Sequence, residues 1–204
     1  MNKDIPEISL QRLPVYLNYL RTLSDEDGKY ISSGAIASAL KLGEVLVRKD
    51  LAYTSSAGRP KLGYVRTELI AAIEEYLGCN DVKNAVLVGA GGLGCALLSY
   101  GGFGKYGIEV VEAFDNDPAK EGMQIGGKTV HHINNMREII ERCNAKLAIV
   151  AVPARAAQGV CDLLIAYGIK GILNFAPVLI SAPDNVVVRN IDVAANLAIL
   201  KSMI

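Results

Sequence analysis

The chain has 204 residues, is 51% apolar, and balances 21 Lys and Arg against 21 Asp and Glu. That apolar share builds a core and excludes a wholly disordered chain, and the length fits one large domain or two small ones. Zero net charge argues against a partner held by global electrostatics but leaves a local basic patch open. Trp is absent and aromatics are 6%, which is a poor platform for stacking single strands. No apolar run approaches the roughly 18 residues of a membrane span. The start, MNKDIPEISL, lacks the apolar stretch of a secretory signal. The chain therefore reads as soluble and cytoplasmic.

Residues 1–78 read as helices and one glycine-rich hairpin. Leu10, Leu13, Leu17 and Leu20 fall on one helical face. Pro14 lies inside that pattern and is expected in a first turn or at a kink. A polar turn at 24–28 ends this helix. Ser32 or Ser33 then caps a second helix, with Ile36, Ala37 and Leu40 inward. Leu42-Gly43 makes a break. A third helix starts at Glu44, with Val45, Val47 and Leu51 inward and Arg48 and Lys49 partly outward. Residues 57–64 read as a hairpin with a basic tip. A fourth helix spans 67–77, and Gly78 closes it.

From about residue 82, apolar runs alternate with helical stretches. Strands are expected at 85–88, 108–114, 147–152, 171–174 and 186–188. Helices are expected at 93–100, 135–143 and 155–167. Continuous apolar strands separated by helices predict a parallel sheet covered on both faces. The fold class is therefore α/β, a doubly wound sheet behind a small N-terminal helical domain.

Gly89-Ala90-Gly91-Gly92-Leu93-Gly94 is a G-x-G-x-x-G run between a strand and a helix. Asp115 ends the next strand, 21 residues after Gly94. That context marks a dinucleotide-binding turn. Gly89 permits the turn, Gly91 lets the backbone approach a pyrophosphate, and Gly94 lets helix and strand pack closely. The helix start offers N–H donors. Asp115 suits the adenosine ribose and opposes a 2′-phosphate, which favours NAD(H) over NADP(H). A glycine turn without a ligand, or one holding coenzyme A, remains open. Val152 and Pro153, in the turn Ala151-Val152-Pro153-Ala154, read either as nicotinamide-side residues or as an ordinary turn. Asn174, in Asn174-Phe175-Ala176-Pro177, has the same two readings.

No catalytic apparatus stands out. About 125 residues follow the start of the nucleotide domain, roughly one such unit, and no second domain remains for a substrate. His131 and His132 read as a strand-to-loop segment. Cys79, Cys95, Cys143 and Cys161 form no CxxC pair, so no zinc site is expected. They read as reduced structural residues or, alternatively, as a thiol sensor.

Between 41 and 66, six basic residues (Lys41, Arg48, Lys49, Arg59, Lys61, Arg66) face two acidic ones (Glu44, Asp50), a local +4. The order helix, break, helix, hairpin is that of a winged helix-turn-helix, whose second helix enters the major groove. A solvated basic helix in a small bundle is the other reading.

Taken together, the chain resembles the Rex family of redox-sensing repressors over essentially its whole length. Arg12-Leu13-Pro14-x-Tyr16-Leu17 resembles the family's first helix. Ile31-Ser32-Ser33 with Val47-Arg48-Lys49-Asp50-Leu51 resembles its helix-turn-helix. The 89–94 run, Tyr100-x-Gly102-Phe103 and Phe114-Asp115-x-Asp117-Pro118 resemble its NAD(H) domain. So do Ala151-Val152-Pro153-Ala154, Leu173-Asn174-Phe175-Ala176-Pro177 and Val188-Arg189-Asn190-Ile191-Asp192.

The resemblance implies a homodimer, not an enzyme, that binds operator DNA and is released by NADH. It implies a DNA-binding domain over 1–78, a Rossmann NAD(H) domain over 79–190, and a helix over 191–204 swapped onto the partner. Ser33, Arg48, Lys49, Tyr53, Arg59 and Lys61 are then the DNA-facing candidates. Tyr100, Phe103 and Asp192 are the candidates near the nicotinamide. Three positions depart from the family pattern: Leu46 replaces a common Gln, the 54–61 wing lacks Phe-Gly pairs, and Asn196 replaces a common acidic residue. Competing classes are a coenzyme-A- or nucleotide-binding enzyme subunit and an NAD-dependent oxidoreductase.

Overall fold

The computed structural model describes residues 5–54 and 58–204, divided into two units, Met1–Asp81 and Val82–Ile204. The first holds α1 (Glu7–Thr22), α2 (Ser33–Leu40), α3 (Glu44–Ala52) and α4 (Arg66–Leu77). A short antiparallel ladder joins β1 (Tyr30–Ile31) to β2 (Tyr64–Val65). Leu13, Leu17 and Leu20 are buried on α1 at the predicted spacing. Together with Tyr16, Ile36, Val47, Leu51, Leu69 and Ile73 they form the interior.

Of the two places read for Pro14, the structure excludes the first turn: it lies in the middle of α1. Buried Leu13, Tyr16, Leu17 and Leu20 bracket it, and their packing offsets the ~3 kcal/mol such a proline costs. Val45 is exposed rather than inward. A helix turns about 100° per residue, so Val45 and Val47 cannot share a face.

Ser32 caps α2, its hydroxyl accepting the Ala35 N–H at 3.0 Å. Lys41 ends α2 in the left-handed region and Gly43 precedes α3, which completes the helix-turn-helix. Past α3, an Arg59–Gly63 bridge closes a basic turn. The strand after that turn pairs with Tyr30–Ile31. Ser55, Ser56 and Ala57 of the expected wing lie outside the described residues.

The second unit runs β3 (Lys83–Val88), α5 (Gly92–Leu98), β4 (Ile108–Asp115), β5 (Gln124–Ile125), β6 (Lys128–His132), α6 (Met136–Arg142), β7 (Leu147–Val150), α7 (Ala154–Ala166), β8 (Gly171–Asn174), β9 (Val187–Asn190) and α8 (Val193–Ser202). The strand order is β5-β6-β4-β3-β7-β8-β9, and only β5–β6 is antiparallel. β5 was not expected as a strand, while β6 carries the strand-to-loop segment read at His131 and His132. They are short and polar and pair as a hairpin across Gly126-Gly127.

Alternation decides the layers. Val86 and Val88 face a core shared with Met136, Ile140, Val160 and Leu164 of α6 and α7. Ala85 and Leu87 face the opposite side, where Leu98 of α5 packs. On that side Leu147, Ile149, Leu173 and Val187 line an apolar groove of about 460 Å³, edged by Lys83, Lys146, Lys170 and Arg189. α8 carries no buried residue, and Leu197 is 65% exposed. Among the described residues no helix is long and apolar enough to cross a membrane.

Candidate nucleotide site and nucleic-acid interface

The strand order reverses between β3 and β7, and such a switch point opens a crevice at the carboxyl ends of the strands. A cavity of about 340 Å³ lies there, lined by Gly89, Gly91, Asp115, Lys120, Val152, Pro153 and Arg155 among others. Gly89 has φ +103°, and a Cβ on it would stand 2.5 Å from the Ala151 carbonyl oxygen. A Cβ on Gly94 would collide with the Gly89 carbonyl oxygen, whereas one on Gly91 would meet no protein atom. The turn is thus closed towards the sheet and open towards the cavity. No side chain caps α5, so the first-turn N–H groups over Gly92, Leu93 and Gly94 remain to be satisfied.

Asp115 is less free than expected. Its Oδ2 accepts the Ala90 N–H at 2.8 Å and the Lys120 ammonium at 2.8 Å, and its Oδ1 accepts the Asp117 N–H at 2.9 Å. A carboxylate offers about four lone-pair directions, so about one remains for a ribose hydroxyl. Burial opposes its ionisation. The Lys120 hydrogen bond and the two backbone N–H groups nonetheless hold the carboxyl below its usual range. Lys120 and Arg155 were absent from the sequence reading. Lys120 follows Asp115 by five residues, and nothing in that spacing alone marks a pair.

Four other candidates lie elsewhere. Asn174 is fully buried, and its side-chain amide donates to Ala176, Val178 and Asn190 while accepting the Ala176 N–H. Its N–H donors are spent on shaping the 174–178 turn. Tyr100 and Phe103 stack edge to face at 5.2 Å and line a cavity with Val82, Gly107 and Ile108. Those residues precede or begin β3 and β4, so the pair sits at the amino-terminal edge of the sheet, away from the glycine turn. Tyr100 is 60% exposed and is not core. Asp192 caps α8 by accepting the Ala195 N–H at 2.8 Å, and it lines a small cavity with Pro177 and Leu179.

On the first unit, Arg48 and Lys49 stand exposed on α3, and Arg59 and Lys61 on the turn that follows. Arg59 lies 5.9 Å from the Tyr30 ring centroid. Tyr53 is half-buried at the end of α3. Ser33 is corrected: it is buried, and its hydroxyl donates to Glu44 at 3.2 Å, fastening α2 to the start of α3.

Behind α3, the buried Asp50 accepts from Arg12 and Tyr16, with Arg12 also donating to Ser9. Burial alone would raise the Asp50 carboxyl, but its bonds to Arg12, Tyr16 and Ser9 keep it below the usual range. Burial, then the bond to Asp50, pushes the Tyr16 hydroxyl up to about 12. Asp50 therefore does not belong with the outward residues of its own helix.

Residues 80–178 match the CoA binding domain family. Residues 4–52 match the family described as "Putative DNA-binding protein N-terminus". The redox-sensing transcriptional repressor Rex of Carboxydothermus hydrogenoformans is 42% identical over 196 residues, 96% of this chain and 94% of that protein. The structure of RSP, a Rex-family repressor, in complex with β-NAD+ and operator DNA is similar with a TM-score of 0.93 at 29% identity, covering 99% of this chain and 93% of that one. RSP in complex with β-NADH gives 0.88 at 29% identity, covering 99% and 95%. With that identity along nearly its whole length, the chain belongs to the Rex family of redox-sensing transcriptional repressors.

Proposed function

We propose that this chain is a transcriptional repressor that grips operator DNA as a homodimer and lets go when NADH binds. One observation carries the reading: a single chain joins an exposed basic helix-turn-helix to a glycine-turn cavity at the switch point of a parallel sheet. In this reading 1–78 bind DNA, 79–190 bind the cofactor in the cytoplasm, and 191–204 join the protomers.

The 89–94 backbone, Asp115, Lys120, Val152 and Pro153 hold the nucleotide, with phosphates at the first turn of α5. Arg48, Lys49, Arg59 and Lys61 meet DNA. The apolar α8 of one protomer fits the apolar groove of the other, which removes both surfaces from water. The cofactor acts as a signal. The titratable groups lining the cavity are Asp115, Lys120 and Arg155. The first two are paired with each other, and an arginine does not exchange protons near neutrality.

The test is operator affinity measured without cofactor, with NAD+ and with NADH. NADH should weaken binding and NAD+ should not. Linkage requires DNA to weaken NADH binding by the same factor. Equal effects of the two cofactors would overturn the reading. Coenzyme A is the second reading of the same turn, favoured by the family match over 80–178. Including it in the titration decides between them.

A further inference from the structure

The outward strip of α3 is not uniformly basic. Val47, Asp50 and Leu51 point inward, while Val45 is 55% exposed and Leu46 38% exposed. Both lie in the first turn of the helix. Arg48 and Lys49 lie three and four residues beyond Val45, so Val45, Arg48 and Lys49 form one strip, with Leu46 beside Lys49. Glu44, the acidic residue of that turn, is drawn back by the Ser33 hydroxyl at 3.2 Å. The leading end of the basic helix is therefore apolar.

A helix entering the major groove presents its N-terminal residues to the base edges. There the edges offer donors, acceptors and one apolar group, the thymine C5-methyl. Valine and leucine neither donate nor accept, so the methyl is the one base feature they can read. The flanking cations fit the phosphates and a guanine edge, which makes duplex DNA the occupant whose charge suits this strip. We propose that Val45 and Leu46 read thymine methyl groups in each operator half-site, next to the base contacted by Arg48. This inference rests on the repressor reading above.

The test starts from an operator enriched from a random duplex pool by the full-length protein. Each thymine is then replaced by deoxyuridine, which lacks only the methyl, symmetrically in both half-sites. Losing one buried methyl costs roughly fourfold in affinity. Two symmetric losses should therefore cost roughly tenfold or more at the thymines that Val45 and Leu46 touch. Leu46→Ala or Val45→Ala should reduce that sensitivity at the thymine each residue touches, and the double variant should reduce it furthest, while salt-dependent binding to random DNA persists, which shows the variants are folded. Leu46→Gln should shift the preferred base from thymine towards adenine, whose N6 and N7 a glutamine can bind. If no deoxyuridine duplex binds more weakly than its parent, while the operator is still bound and still released by NADH, this inference alone fails. If the pool yields no operator, or NADH releases none, the repressor reading fails and this inference falls with it.

Discussion

Arg12 holds Asp50 in a two-pronged grip, Nε to Oδ2 at 2.6 Å and Nη2 to Oδ1 at 2.8 Å, which fixes α1 to the inner side of α3. The Tyr16 hydroxyl donates to the same carboxylate at 2.6 Å. The helix that carries Arg48 and Lys49 is thereby set in place by a carboxylate from its own opposite face.

Removing one member should leave a buried charge without its partner. Asp50→Ala or Arg12→Ala should destabilise the first unit by about 3 kcal/mol or somewhat more. Urea unfolding followed by far-UV circular dichroism measures this. Operator binding should fall sharply, while NADH binding to the other unit stays near its original affinity. A loss of NADH binding of the same size would mean the two units do not fold independently.

Acid should act through the same carboxylate. Asp50 titrates below its ordinary value in the folded chain, so its contribution to stability is complete above about pH 4 and drains away as pH falls through the lower folded value. The loss of stability as pH falls below about 4 should be steeper in the wild type than in Asp50→Asn. Parallel slopes for the two proteins would assign acid unfolding to other groups.

In the proposed function, Lys120 and Asp115 set cofactor choice as a pair. The ammonium offsets the charge that would repel a 2′-phosphate and occupies a lone pair the ribose needs. Lys120→Ala should tighten NADH relative to NADPH by roughly tenfold, the scale of one charge-assisted hydrogen bond. Asp115→Ala should move the ratio the other way. Fluorescence titration with both cofactors reads the ratio directly, and an unchanged ratio in both variants would place the ribose elsewhere.

Gly94→Ala should abolish cofactor binding, because the added methyl runs into the Gly89 carbonyl oxygen and must displace the glycine turn. Gly91→Ala adds a methyl that meets no protein atom. It should leave the fold intact and weaken only the ligand. Thermal melts with and without NADH separate the two cases: Gly94→Ala lowers the melting temperature of the free protein, and Gly91→Ala lowers only the shift that NADH induces.

Leu197→Asp should prevent dimers, since α8 leaves its apolar residues exposed in the single chain. Sedimentation should show a protomer-sized species, and a dimer of wild-type stability would mean that α8 is not the joint.

What was legible in the sequence was local or periodic. The leucine spacing of α1, the glycine turn and the apolar strands each declare themselves within a few residues. Pairs between elements did not. Arg12 and Asp50 stand 38 residues apart, and only the fold reveals that Asp50 faces inward while Arg48 and Lys49 do not. Ser33 read as a helix cap or, by the resemblance, as a DNA-facing residue, because a hydroxyl gives no hint of a Glu44 partner. Tyr100 and Phe103 follow the glycine turn closely in the chain, yet α5 carries them back along the sheet to its far edge. β1 and β2 have two residues each, too few for any period to show.

The bare α8 has a consequence for inheritance. If α8 joins the protomers as proposed, two gene copies in one cell, one intact and one damaged only in α3, would make protomers that still pair through α8 and the groove. Three of every four random pairs would then carry at least one blind reading head. Such an allele should be dominant, whereas one truncated before α8 should be recessive, because its product never enters a dimer.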